Sequence, residues 1–324
     1  MSYSHRSITN ITQRIIGAGR KQNSLVLAIF LVLLGVLLLD IMGVFVKQLG
    51  NTYPIMQLAL ARNTFGLIPI IIILFFQNKR FLERAFFSQK NTLITLLRGA
   101  SITLAQFCFY LSLVKLEFAT ASTLVFVSPI FVTALSIPIL RTKVGLWRWI
   151  AVAVGFLGVV LIMNIGSEVF TLYSFLPIAA AFGYALSSIS VKLFSDNIPT
   201  SQIQLFSQVV TIFSSGLVMI IISGYEPISS MRDLLLFSFI GILGSLGVVC
   251  LLTACRMSQP SLMAPFEYFG IPFSIILGYV FFSELPLNIN LSISNTLVIL
   301  LGYSSFFSLL IEFKRVTKGA KLNL

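Results

Sequence analysis

The sequence predicts an all-α integral membrane protein: ten transmembrane helices arranged as two inverted five-helix repeats. Three observations predict it. Ten apolar stretches each approach the length of a bilayer-spanning helix, basic residues gather on alternate connectors, and one turn motif recurs in both halves. Composition sets the class, because 57% of the 324 residues are hydrophobic and only 10% are charged. With a mean hydropathy of +0.99, such a chain cannot present the polar surface a soluble domain needs.

The stretches run over residues 25–46, 54–76, 92–113, 118–139, 147–165, 172–193, 201–223, 234–254, 261–282 and 291–311. Each comes close to the roughly 20 residues that cross the hydrocarbon core. The first reads as a retained span and not as a removable leader, since a long polar segment precedes it and no small-residue cleavage site follows. That segment, residues 1–24, carries Ile8, Ile11, Ile15 and Ile16 among basic residues. It either lies on the membrane surface or forms a disordered tail.

Charge predicts orientation. With the N-terminus cytoplasmic, seventeen Lys and Arg residues fall on inside connectors and tails, against Lys47, Lys115 and Arg232 outside. An even number of spans then puts both ends inside. The net charge of +12 is thereby a topology signal, and nucleic acid is not an expected partner. Cys108, Cys250 and Cys255 all fall within spans and read as small core residues.

The repeat appears at two turns. KQLGNTYPIMQ, Lys47 to Gln57, and KLFSDNIPTSQ, Lys192 to Gln202, share Lys, Pro and Gln at equal offsets. SPIFVTALSIPIL from Ser128 also aligns with IPFSIILGYVFF from Ile271, pairing Pro129 with Pro272. The chain thus divides near residue 168 into halves of five spans, and an odd number forces the second half to enter from the opposite side. Secondary transporters are built this way, with substrate held between the halves near the midplane.

Polar residues inside the spans are the candidates for function. Asp40 in the first span and Arg62 in the second admit two readings: a cavity carboxylate with an anion anchor, or a structural ion pair. Glu267, with Tyr268 beside it, sits in a proline-bearing ninth span and is expected to face a cavity where it could exchange a proton; the competing reading has it reach the interface or pair with Arg256. Gln106 and Tyr110 lie one turn apart on the third span, and Tyr184, Ser188 and Lys192 share a face of the sixth. The stripe Gln204, Gln208, Thr211 and Ser215 on the seventh span reads as helix packing, as do the small residues Gly241, Gly244, Ser245 and Gly247 on the eighth. Arg98 reads as an anchor whose head snorkels to the interface.

The segments LLRGASITLAQFCFYLSLVKLEFATASTLVFVSPIFVTALSIPIL from Leu96, LWRWIAVAVGFLGVVLI from Leu146 and APFEYFGIPFSIILGYVFFSELP from Ala264 carry a family resemblance. With the two Lys-Pro-Gln turns, they make the chain similar to the drug/metabolite transporter superfamily and its EamA-type members. The resemblance implies a cytoplasmic tail over 1–24, EamA-like repeats over 25–168 and 169–311, and a basic cytoplasmic tail over 312–324. It implies a central cavity lined by Asp40, Arg62, Gln106, Tyr110, Tyr184, Ser188, Glu267 and Tyr268. Members often carry a Glu after the fourth span, as Glu284 stands after the ninth; here that turn is Arg141-Thr142-Lys143.

The expected function is an inner-membrane secondary transporter moving a small organic metabolite by alternating access. Similarity implies S-adenosylmethionine, riboflavin or amino acids as substrates, with a proton or an exchange substrate as coupling partner. The alternatives are a multidrug or toxic-compound exporter and, outside transport, a channel or another membrane protein. No enzyme is expected, because His5 is the only histidine and no HExxH or GxSxG arrangement occurs. No cofactor or metal is expected either.

Overall fold

The computed structural model describes residues 2–76, 84–141, 145–146, 149–150, 153, 171–258 and 260–284. Among these residues every regular element is helical. Seven stretches are long and apolar enough to cross a bilayer: Leu25–Leu49, Ile55–Phe76, Gln89–Lys115, Phe118–Leu140, Leu172–Leu193, Thr200–Ile222 and Met231–Met257. They coincide within a few residues with predicted spans one to four and six to eight. The predicted tenth span lies outside the described residues, as does nearly all of the fifth. The first helix, α1, runs from Ser2 to Leu49, so the N-terminal segment continues the first span.

Small residues and prolines decide where the helices bend. The second span is α2 (Ile55–Phe65) followed by α3 (Leu67–Phe76), interrupted at Gly66. Pro69, in the first turn of α3, has no N–H to close a bond to Phe65. A Cβ at Gly66 would stand 3.0 Å from the Gly241 carbonyl, so spans two and eight touch backbone to backbone there. The third span is the unbroken α4 (Gln89–Lys115), capped by the Ser88 hydroxyl accepting from the Asn91 N–H.

The fourth and ninth spans share one construction. The fourth is α5 (Phe118–Val125, 8 residues), a two-residue break at Phe126 and Val127, then α6 (Ser128–Leu140, 13 residues). The ninth comprises α10 (Pro260–Glu267, 8 residues) and α11 (Gly270–Phe282, 13 residues), with the break at Tyr268 and Phe269. Pro129 and Pro272 stand in the first turns of the two second helices, the positions where a missing N–H costs least. Tight three-residue hydrogen bonds cross both breaks, such as Val127 N–H to the Leu124 carbonyl and Ile271 N–H to the Tyr268 carbonyl. Both second helices end on a left-handed residue, Arg141 at φ 52° and Ser283 at φ 55°.

The remaining helices are α7 (Phe175–Ser190), α8 (Thr200–Val218) with a wide terminal turn at Met219–Ser223, and α9 (Met231–Met257). Close packing fixes their neighbours. On α1, a Cβ at Gly35 would meet the Gly247 carbonyl at 2.9 Å, and a Cβ at Gly247 would meet the Gly35 carbonyl at 2.9 Å. Gly183 stands in the same relation to α4, 3.0 Å from the Ser101 carbonyl. The small residues of the eighth span therefore serve close helix approach, as the sequence predicts. Large exposed side chains such as Phe75, Phe213 and Ile220 cover the outside of the bundle, as lipid-facing surfaces require.

Candidate functional site: a cavity between the spans

All seven spans and the broken ninth contribute to one cavity of about 150 Å³. Its wall is mixed. Val36, Leu39, Phe109, Phe126, Val248 and Leu251 supply apolar surface, while the acids Asp40 and Glu267, the cation Arg62 and a belt of amides and hydroxyls supply polar groups. A wall of this kind orients a small ligand with few polar contacts and encloses the rest of it in apolar surface.

Asp40 belongs to the otherwise apolar first span and is 8% exposed. Its Oδ2 is buried and accepts no hydrogen bond among the described residues. Arg62 lies across from it without forming the structural ion pair that one sequence reading allowed. Its guanidinium donates instead to Met42 Sδ at 3.2 Å, Asn63 Oδ1 at 3.3 Å and the Gly244 carbonyl at 3.5 Å. Glycine at 244 makes room for this, because a Cβ there would sit 2.7 Å from Arg62 Nε. Glu267 ends α10 just before the break and faces the cavity. The competing expectation, a pair with Arg256, is not what forms: Arg256 donates to the Ser195 and Ile198 carbonyls and lies 3.9 Å from Asp196.

Of the eight predicted lining residues, Asp40, Arg62, Tyr184, Ser188 and Glu267 meet in this cavity. The other three stand behind its wall. Gln106 is fully buried and bonds Asn63; Tyr110 packs in the core with its hydroxyl 3.9 Å from Met42 Sδ. Tyr268 joins the apolar cluster of Val32, Val36 and Phe126, because the break after Glu267 turns the next side chain away from the cavity. Lys192 also points elsewhere, donating to the Arg256 carbonyl at 2.9 Å.

Two further expectations need correction. Arg98 is 2% exposed and reaches no interface. It donates to Ser207 Oγ at 3.1 Å, Ser190 Oγ at 3.2 Å, Gln204 Oε1 at 3.4 Å and the Ser187 carbonyl, tying spans three, six and seven together. The stripe on the seventh span does more than pack: Gln204, Gln208 and Thr211 line the cavity, while Gln208 also donates to the Asn63 carbonyl at 2.8 Å. Asn63, Ser122, Ser128 and Ser187 are lining residues that sequence reasoning missed. For Asn63 a signal existed, a second polar residue directly after Arg62 in an apolar span.

Comparison with known proteins agrees with this architecture. Residues 26–164 match the EamA-like transporter family. A riboflavin transporter of Vibrio cholerae is 29% identical over 164 residues, 50% of this chain and 54% of that protein, so this match spans about half of that relative. An S-adenosylmethionine uptake transporter of Rickettsia felis is 26% identical over 240 residues, covering 74% of this chain and 79% of the relative. A pseudopaline exporter of Pseudomonas aeruginosa is 26% identical over 251 residues, covering 76% and 84%. One solved crystal structure shares the fold with a TM-score of 0.67 at 15% identity, covering 86% of this chain and 96% of its own. The multi-pass bundle, its central cavity of mixed wall and these matches mark the chain as a small-molecule membrane transporter, similar over residues 26–164 to the EamA-like transporter family.

Proposed function

We propose that the protein is a ten-span carrier of the inner membrane that moves a small organic metabolite with a cationic centre by alternating access. Its halves, residues 25–168 and 169–311, would be inverted repeats with both chain termini cytoplasmic. Several features support that layout. Spans four and nine share the 8-residue and 13-residue construction. Pro54 and Pro199 precede helices with nearly the same backbone angles, φ −56° and ψ 137° against φ −61° and ψ 142°. The packing of α1 on α9 has its counterpart in α7 on α4. Seventeen basic residues against three support the orientation.

One observation carries the substrate class: Asp40 presents a buried carboxylate oxygen, without a hydrogen-bond partner among the described residues, to a cavity that Glu267 also faces. A lone carboxylate at this depth costs about 3 kcal/mol, which a bound cation offsets. Arg62 in the same wall suits a carboxylate on the same ligand. S-adenosylmethionine, after which the Rickettsia felis relative is named, joins a sulfonium and an ammonium to one carboxylate and fits this pattern. A second reading gives the acids a coupling proton, and it is favoured by Glu267 forming no ion pair among the described residues.

Proteoliposome uptake of radiolabelled S-adenosylmethionine, arginine and riboflavin tests both readings, with Asp40→Asn and Glu267→Gln as variants. Cation recognition predicts loss of cationic uptake by at least about tenfold in Asp40→Asn, with any riboflavin uptake retained. Proton coupling predicts that Glu267→Gln abolishes pH-driven uptake and spares exchange. Wild-type rates and wild-type pH dependence in both variants reject both readings.

A further inference from the structure

One end of the bundle is fastened by an ion pair that joins the two halves of the chain, 237 positions apart in sequence. Lys47 Nζ, at the end of α1, donates to Glu284 Oε1 at 2.6 Å and Oε2 at 2.8 Å. The side chains are 13% and 25% exposed, so water screens the pair only in part. Neither partner is committed to this bond alone. Lys47 also donates to the Leu116 carbonyl at 3.3 Å and lies 5.0 Å from the centroid of the Phe282 ring. Glu284 Oε2 accepts the Phe118 N–H at 2.8 Å, capping α5. The ends of spans one, three and nine and the start of span four are thus tied at one point.

At the opposite end the same parts recur with one missing. Lys192, which matches Lys47 in the repeated turn, donates to the Arg256 carbonyl at 2.9 Å as Lys47 does to that of Leu116. Arg141 closes α6 in the left-handed conformation, as Ser283 closes α11. The residue after Ser283 is Glu284, whereas the residue after Arg141 is Thr142, and the turn Arg141-Thr142-Lys143 holds no acid.

We infer that Lys47 and Glu284 form a one-sided clasp that keeps the outer face shut at rest, with no equal fastening among the described residues of the inner face. The inference rests on the orientation and alternating access proposed above. An ion pair present in one of two exchanging states adds its full differential energy to that state. The resting population is therefore biased towards the outside-closed form, and ligand binding or membrane potential has to overcome this bias before the outer face opens.

The test uses the full chain with Cys108, Cys250 and Cys255 replaced by alanine. Ser122→Cys reports on the outer half of the cavity and Gln204→Cys on the inner half. Both are reacted with a membrane-impermeant maleimide in right-side-out and inside-out vesicles. Glu284→Gln keeps an acceptor for the Phe118 N–H and removes only charge, so it separates the clasp from helix capping. Glu284→Gln and Lys47→Met are each expected to raise outside labelling of the outer reporter about fivefold, while Lys47→Arg leaves it unchanged. Thr142→Glu, which supplies the absent acid, is expected to raise it as well. Unchanged labelling in Glu284→Gln and Lys47→Met overturns the clasp, and a silent Thr142→Glu overturns its one-sidedness. If the outer reporter opens while the inner one does not close, the clasp stands and reciprocal alternation fails.

Discussion

Asn63 and Gln106 join their amides in a reciprocal pair: Asn63 Nδ2 donates to Gln106 Oε1 at 3.0 Å, and Gln106 Nε2 returns to Asn63 Oδ1 at 3.2 Å. Asn63 Oδ1 also accepts from Arg62, so the fully buried Gln106 holds the residue that orients the cavity's cation. Gln106→Leu should leave the Asn63 amide short of a partner and let Arg62 swing. The expected cost is about 1–3 kcal/mol in detergent unfolding. A rise in KM for carboxylate-bearing substrates, larger than any fall in kcat, should accompany it. Unfolding curves and uptake kinetics of this variant check both.

Asp40 should set function against stability. Its buried, unpartnered Oδ2 strains the empty protein, so Asp40→Asn is expected to raise the unfolding free energy by about 1–2 kcal/mol while reducing cation uptake. Differential scanning fluorimetry beside the uptake assay shows whether the two move in opposite directions. A destabilised Asp40→Asn would mean that the carboxylate is held by a structural partner.

The contact between Gly35 and Gly247 leaves no room for a methyl group on either side, since each Cβ would meet the facing carbonyl at 2.9 Å. Alanine at either position should force α1 and α9 apart and cost about 1–3 kcal/mol. Gly145 has nothing among the described residues within 4 Å of its Cβ position and is the control, with no loss of stability expected in Gly145→Ala. Melting temperatures of the three variants decide it.

In the orientation proposed above, outside pH should act through Glu117, which lies between the third and fourth spans and outside both. Burial and then the neighbouring Glu284 carboxylate push its pKa above the ordinary range, and Lys47 opposes them. Its Oε2 is buried without a hydrogen-bond partner among the described residues. An acid whose pKa is raised in one arrangement stabilises that arrangement below its pKa and ceases to do so as pH rises through it. The clasped, outside-closed form should therefore gain population on acidification. Outside labelling of the Ser122→Cys reporter should fall as pH is lowered through the raised pKa of Glu117, and Glu117→Gln should flatten the response.

Depth was legible in this sequence and rotation was not. Hydropathy located the spans because each must match the bilayer thickness, and the lone acids Asp40 and Glu267 stood out because charge is costly in lipid. Which way a side chain turns about its helix axis left little trace, since these helices are apolar nearly all round. Arg98 looked like an interfacial anchor by position, yet it turns sideways into Ser187, Ser190 and Ser207. Tyr268 follows Glu267 in sequence and faces the opposite way, because the helix breaks between them and the next segment. The Lys47–Glu284 pair could not be read at all: its partners meet only when both halves are assembled.

The interruptions in spans four and nine have a mechanical consequence. A straight rod crossing a membrane can only lean as one piece, so opening its top also displaces its foot. Two rods each jointed once, at Phe126–Val127 and at Tyr268–Phe269, can swing one segment while the other stays seated. In the alternating-access cycle proposed above, each doorway would then need only part of a helix to move.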